Sequence, residues 1–320
     1  MSTYREVKGY SIKKVDSDPA NPKEGQIWYN NISKQIKVRI VVPAAWASGG
    51  NLNTGRAGLG GAGIQTAALA FGGDSPSLNE TEEYNGSSWS EQNNLNTGRF
   101  YGSGFGSQTA AVMAGGLIQT SGPRNLNNSE EYDGTSWTEG NNLNTGRDIL
   151  AGAGTLTAGL CFGGFEPGNS GKTEEYDGTS WSEQNDLNTV VRGSSRAGIQ
   201  TSALSFGGDG PAPGVQVATE EYDGTSWTTG ADYPVAQEAG TGSSGPQTAA
   251  LGFGGYTTSS TNVYDGSSWT ATASMATARG GLAGDGTNAT SAIAFGGAPS
   301  RNITEEFTDT AFSTKTVDVS

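Results

Sequence analysis

The chain has 320 residues, of which 33% are apolar and 51 are Gly, with one Cys, no His and a net charge of −14. Without histidine there is no Ser-His-Asp triad, no Cys-His pair and no His-ligated zinc or copper site. The acidic balance excludes a basic face for phosphate contacts, so no nucleic-acid partner is expected. Cys161 stands alone and cannot form an intrachain disulfide, and no apolar run approaches the ~20 residues of a membrane span.

Residues 1–43 come first and differ in character from the rest. The opening MSTYREVKGYSIKKV lacks the apolar core of a signal peptide, which predicts synthesis in a cytosol without export by the usual route. After a turn-rich DSDPANPKEG, a strand is predicted through Gln26-Ile27-Trp28-Tyr29, then an Asn-Asn turn, then a strand through Lys37-Val38-Arg39-Ile40. A lone hairpin is marginal in water, so this one is expected to need a partner.

From residue 44 onward the chain repeats. Gly-Gly pairs fall at Gly72-Gly73, Gly115-Gly116, Gly163-Gly164, Gly207-Gly208, Gly254-Gly255 and Gly296-Gly297, at spacings of 43, 48, 44, 47 and 42 residues. Trp46, Trp89, Trp137, Trp181, Trp227 and Trp269 keep the same beat, with Phe312 in the next slot. Aromatics recurring in register argue against disorder despite the low apolar content. A period of 40 to 50 residues predicts a β-propeller.

The unit around Trp137 reads as four strands. A small-residue strand a follows Arg99, where crowding near an axis admits little side chain. TAAVMAGG is strand b, SEEY strand c and TSWTEG strand d. Asp133-Gly134 joins c to d, a strong hairpin signal because Gly accepts positive φ. The same slot holds Asn85-Gly86, Asp177-Gly178, Asp223-Gly224 and Asp265-Gly266.

An apolar strand ending in Gly-Gly, then Tyr-Asp, then Trp, resembles the kelch repeat over residues 46 to 314. The resemblance implies an all-β, six-bladed kelch-like β-propeller at 44–314, with a short N-terminal hairpin segment at 1–43 and a tail at 315–320. There are seven candidate d strands for six units. The Trp46 segment shares its downstream half with the others and is favoured to close the last blade; Phe312 is the alternative.

PANPKEGQIWYN is similar to a short module found near the N-termini of tailed-bacteriophage virion proteins, where it precedes fibre, decoration and kelch-like domains. With the loop-varied repeats it implies a non-enzymatic phage virion structural protein, tail fibre or head decoration, present in multiple copies on the particle. Its N-terminal segment would hold other virion proteins through Trp28, Tyr29, Lys37 and Arg39, and its propeller would attach to host-surface glycan or protein. A bacterial kelch-like interaction module is the alternative, and a polysaccharide-degrading propeller enzyme a further one.

The candidate chemistry is sparse. Glu82-Glu83, Glu130-Glu131, Glu174-Glu175, Glu220-Glu221 and Glu305-Glu306 are carboxylate pairs of the kind glycosidases use. They recur with the repeat, whereas a catalytic pair occurs once, so they read as surface residues of strand c. No loop has the Asp-x-Asp-x-Asp-Gly spacing of a calcium site, and no cofactor or metal is expected. Binding is left to the loops. On the d–a loops Arg56, Arg99, Arg147, Arg192, Glu238 and Arg279 are predicted to ring the channel mouth, where arginine pairs with carboxylates and sulfates. On the b–c loops the candidates are Arg124, Asn125, Asn169, Asp209 and Gln216.

Overall fold

The computed structural model describes residues 12–74, 77–119, 125–211, 214–236, 242–255 and 258–317. Among them there are strands and turns but no helix. The chain divides into two compact units, 45–308 and a smaller one made of 1–44 with 309–320.

The larger unit holds six four-stranded antiparallel sheets. In the second, strands Ser103–Ser107, Ala110–Ala114, Ser129–Tyr132 and Trp137–Glu139 lie side by side in chain order as a, b, c and d. The a strands of the others are Gly60–Ile64, Ala151–Thr155, Ser195–Ile199, Gly242–Ser244 and Ala283–Asn288. Each a strand packs against the a strand of the next sheet, and the sixth returns to the first. This cyclic order is consistent with a propeller.

Local chemistry explains the repeat's two signatures. Gly115 and Gly116 turn the chain out of strand b at φ of +66° and +101°, a region open to glycine. A Cβ on Gly115 would sit 2.6 Å from the Arg147 carbonyl oxygen. At the c–d turn Asp133 Oδ1 accepts the N–H groups of Thr135 and Ser136, both at 2.8 Å. These donors hold the Asp133 carboxyl below its ordinary value. The same turn forms at Asp177, Asp223 and Asp265, so these aspartates are spent on turn geometry.

The core lies between neighbouring sheets. Phe71 of the first sheet meets Trp137 of the second at 4.9 Å between ring centroids, and Phe162–Trp227 and Phe295–Trp89 repeat that distance. Burying one such side chain contributes about 1.5–3 kcal/mol. Each sheet thus depends on its neighbour for an apolar surface.

The sixth sheet takes its outermost strand from the start of the unit. Ala45–Ser48 pairs with Thr304–Thr308. Trp46 fills the sixth tryptophan slot, 4.9 Å from the Phe253 ring, and its Nε1 donates to Thr261 Oγ1 at 3.0 Å. Phe312 is not a blade residue. It lies on Ala311–Val317, which pairs with Gln35–Val42 in the smaller unit.

That smaller unit corrects two expectations. The predicted hairpin, Ile27–Asn30 with Gln35–Val42, is flanked by Lys13–Val15 on one side and Ala311–Val317 on the other. The described chain therefore has seven four-stranded sheets rather than six, none closed on itself. Residues from Asp309 onward belong with the N-terminal segment, so the domain boundary expected at 314 lies at 308. The physical reason is the need of a two-stranded ribbon for neighbours.

Trp46→Ala is expected to lower the free energy of unfolding by about 2 kcal/mol, by loss of the half-buried ring's contacts and its indole hydrogen bond. Phe312→Ala, at an exposed position, is expected to cost less than about 1 kcal/mol. Urea unfolding followed by far-ultraviolet circular dichroism distinguishes the two.

Candidate functional site

The arginines predicted at the channel mouth are inside the protein. Arg56, Arg99, Arg147 and Arg279 are each 0% exposed. Their Nη2 atoms pair with Glu82 at 3.1 Å, Glu130 at 2.5 Å, Glu174 at 2.9 Å and Glu305 at 2.9 Å. Their Nη1 groups go to carbonyls, as when Arg147 Nη1 reaches Gly163 O and Lys172 O, both at 2.7 Å, while the Nε of Arg56, Arg147 and Arg279 is buried without a hydrogen-bond partner. Burial pushes Arg56, Arg99 and Arg279 below the ordinary guanidinium range, and the paired glutamates offset part of this. Asn53, Asn96, Asn144 and Asn188 complete the set, donating to the other carboxylate oxygen of Glu82, Glu130, Glu174 and Glu220. The d–a loops into the first, second, third, fourth and sixth sheets are thereby pinned to strand c of the sheet each leads into.

The glutamate pairs are not free surface groups either. The first of each pair is the buried partner just described. The second accepts the phenol of the next sheet: Tyr132 donates to Glu83, Tyr176 to Glu131, Tyr222 to Glu175, Tyr264 to Glu221 and Tyr84 to Glu306. Burial first, then the Glu306 contact, pushes Tyr84 up to about 12.

The other predicted residues fall into three groups. Val191 is buried at the arginine slot of the fourth unit, and Arg192 pairs with Asp209 at 2.5 Å, both partly exposed. Asn125 Nδ2 donates to Phe165 O at 2.7 Å and Asn169 Nδ2 to Asp209 O at 2.9 Å, so successive b–c loops are tied to one another. Gln216 Nε2 bonds Gly214 O within its own loop. Arg124 and Glu238 lie outside the described residues. In the smaller unit Trp28 is fully buried, and its Nε1, Asn30 Nδ2 and Lys37 Nζ all donate to Asp18. These contacts, Lys37 foremost, lower the Asp18 carboxyl to about 2. Trp28 is therefore that sheet's core and not a contact residue. Arg39 lies 4.6 Å over the Phe312 ring, and Tyr29 is half-buried on Ile27–Asn30, on the other side of the Arg39 strand.

Among the described residues, two regions are open to a ligand. On the loop face, Ser77, Asn79, Asn96, Thr97, Ile118 and Gln119 line a groove of about 500 Å³ between the first two b–c loops. The second lies in the channel between the six a strands. The equivalent positions there are Gly61, Gly104, Gly152, Arg196, Ser243 and Gly284, followed by Ala62, Phe105, Ala153, Ala197, Ser244 and Asp285. Arg196 and Asp285 are the charged residues among these twelve. Arg196 Nη2 reaches across to Gly104 O at 2.5 Å and stands 3.9 Å from Asp285 Oδ1, beyond hydrogen-bond range. Asp285 Oδ2 is buried with no hydrogen-bond partner. Burial raises the Asp285 carboxyl to about 7 against the pull of the Arg196 charge. The sequence carried the signal, since SSRAGI and GLAGDG interrupt a register otherwise filled by Gly, Ala, Ser and one Phe.

No family model matches the chain, and no curated protein matches it. Solved structures do, with 450 matching chains. One, described as "Structure of YjhT" and of propeller type, is 12% identical with a TM-score of 0.68, covering 82% of this chain and 99% of its own. The all-β fold is propeller-like. A fold shared this widely does not decide function, which has to be argued from the sites.

Arg99→Ala is expected to cost about 3–5 kcal/mol, because Glu130 is left buried and unpaired; Arg192→Ala, at a partly exposed pair, is expected to cost at most about 1 kcal/mol. Chemical denaturation of both variants checks the contrast. For Asp285, the folded value near 7 lies above the ordinary carboxylate value, so the folded state binds the extra proton between about pH 4 and pH 7. Stability from this group is full below pH 4 and is lost as pH rises to 7. Asp285→Asn is expected to gain up to about 3 kcal/mol at pH 8 relative to wild type and little at pH 4, read from denaturation midpoints at the two pH values.

Proposed function

We propose that the larger unit is a six-bladed kelch-like propeller and that the chain is a non-enzymatic structural protein of a tailed-phage virion. The smaller unit, which holds the GQIWYN segment, joins it to other virion proteins as tail-fibre or head-decoration material. The propeller's loop face attaches to a host-surface glycan or receptor.

One observation carries this reading. The repeated residues with chemical capacity are consumed by the scaffold: arginine by glutamate, glutamate by tyrosine, aspartate by its own turn. What varies is gathered in the b–c loops, on a face with a groove lined by amide and hydroxyl groups. Such groups exchange hydrogen bonds with sugar hydroxyls readily, and a volume near 500 Å³ suits a small oligosaccharide. Single contacts of this kind are weak, and many copies on one particle convert them into avidity.

Deletion of residues 1–43, which keeps the Trp46 strand, is expected to abolish incorporation into purified particles. Full-length protein is expected to bind isolated host envelope glycans, and Gln119→Ala with Thr97→Ala to weaken that binding about tenfold or more. Unchanged incorporation refutes the virion role; incorporation lost with no glycan or cell-surface binding refutes the adhesive one.

A further inference from the structure

The channel is a different place from the loop groove, and its polar residues break the repeat on one side only. Sheets four, five and six contribute Arg196, Ser243, Ser244 and Asp285, while sheets one to three contribute Gly61, Gly104 and Gly152 at the position Arg196 and Ser243 occupy. The glycines have a role here. A Cβ on Gly61 would lie 2.7 Å from Asp285 Oδ2, and one on Gly104 would lie 2.7 Å from the Gly61 nitrogen. The small half makes room for the polar half.

The polar half is held in place. Ser243 Oγ accepts the Arg196 N–H at 3.2 Å and donates to the Arg196 carbonyl, which fixes the backbone beneath the guanidinium. The Arg196 side chain is 22% exposed and that of Asp285 16%. Around them is a cavity of about 110 Å³, lined by Arg196, Ser243, Ser244, Asp285 and glycines of the a strands. Arg196 also borders a second cavity of about 70 Å³, lined by Tyr101, Ile149 and Leu282. The guanidinium therefore stands between two hollows in one channel.

The unmet hydrogen-bonding capacity defines what fits. Arg196 spends Nη2 on Gly104 O and more distantly on Gly61 O, and its Nε and Nη1 have no acceptor among the described residues. Asp285 Oδ2 has no donor. A ligand must bring an acceptor for a guanidinium edge and a donor for a carboxyl oxygen some few ångströms away. A carboxylate and an adjacent hydroxyl meet both needs, and arginine engages carboxylates through two parallel bonds. A volume near 110 Å³ holds roughly six heavy atoms, at about 20 Å³ per atom in a packed interior.

We propose that the central channel is a binding site for a small α-hydroxycarboxylate, its carboxylate on Arg196 and its hydroxyl donating to Asp285. This site is independent of the loop-face adhesive reading and stands or falls by itself.

The charge state sets a pH dependence. The charged groups facing the site from the six a strands are Arg196 and Asp285; Gly60–Ile64, Ser103–Ser107, Ala151–Thr155 and Gly242–Ser244 contribute none. Below pH 7 Asp285 is protonated and Arg196 attracts an anion alone. Above pH 7 the ionised Asp285 repels it. With a titration near 7, the protonated fraction falls about tenfold from pH 6 to pH 8, and anion affinity falls with it.

The test uses the full chain and glycolate, with glycerol as neutral control, followed by ligand-observed NMR. Glycolate is expected to bind at pH 6 and about tenfold more weakly at pH 8, with glycerol not binding. Asp285→Asn is expected to bind equally at both pH values, and Arg196→Gln not at all. Because Arg196→Gln also removes the bond to Gly104 O, its folding is checked by circular dichroism; if it unfolds, the Asp285→Asn pH profile decides. No glycolate binding to wild type at either pH, equal binding of glycerol, or a pH dependence that survives Asp285→Asn each overturns the proposal.

Discussion

A carboxylate buried in strand c is the constraint on which the ring depends. Glu82, Glu130, Glu174 and Glu305 are withdrawn from water, and a buried charge that is neither paired nor hydrogen-bonded is prohibitively costly. The loop arriving from the preceding sheet supplies the arginine that meets it, together with an asparagine at Glu82, Glu130 and Glu174 and the Ala276 N–H at Glu305. A sheet cannot bury its own glutamate until the neighbouring loop is in place, so connection between sheets and folding within a sheet are one event. The second glutamate extends the argument sideways, since strand alternation turns it to the neighbouring tyrosine.

Two of the exceptions support this view because both partners change together. The fifth sheet has Asn262 in place of the buried glutamate, and its amide donates to Tyr233 Oη at 3.2 Å; its preceding loop, DYPVAQEAG, has no arginine. Between the fifth and sixth sheets the tyrosine–glutamate contact is replaced by Phe307 and Val263, both partners changed together. The fourth sheet is the unpaired case. Glu220 is buried with Val191 in the arginine slot, and it accepts from Asn188 and Thr189. In the second sheet Ser129 turns its hydroxyl to Asn141 O, and Trp181 Nε1 of the third sheet is left without an acceptor.

Much of the larger unit was legible in the sequence because its determinants are local. Asp-Gly turns, diglycine exits and the Trp beat each act within a few residues, and the strands fall where those signals put them. The arginines were misplaced for the opposite reason. Their partners lie 26 to 31 residues away on another strand, as with Arg99 and Glu130, and sequence alone presents an Asn-rich loop ending in arginine as a solvent-facing cap. The seventh sheet was hidden similarly, because Gln35–Val42 finds Ala311–Val317 from the far end of the chain. Arg196 and Asp285 were visible as residues, but only the ring brings them within 3.9 Å.

The central claim is that repeated polar residues form reciprocal scaffold pairs, which leaves function to the residues that break the repeat. A double-mutant cycle tests it most directly, placing the Val263 and Phe307 solution at a site that has the polar pair. Glu83→Val and Tyr132→Phe, singly and together, would be compared by equilibrium denaturation. The account predicts that each single change strands its partner and that the double variant recovers at least about 1 kcal/mol relative to the sum of the two. Strictly additive losses would contradict it.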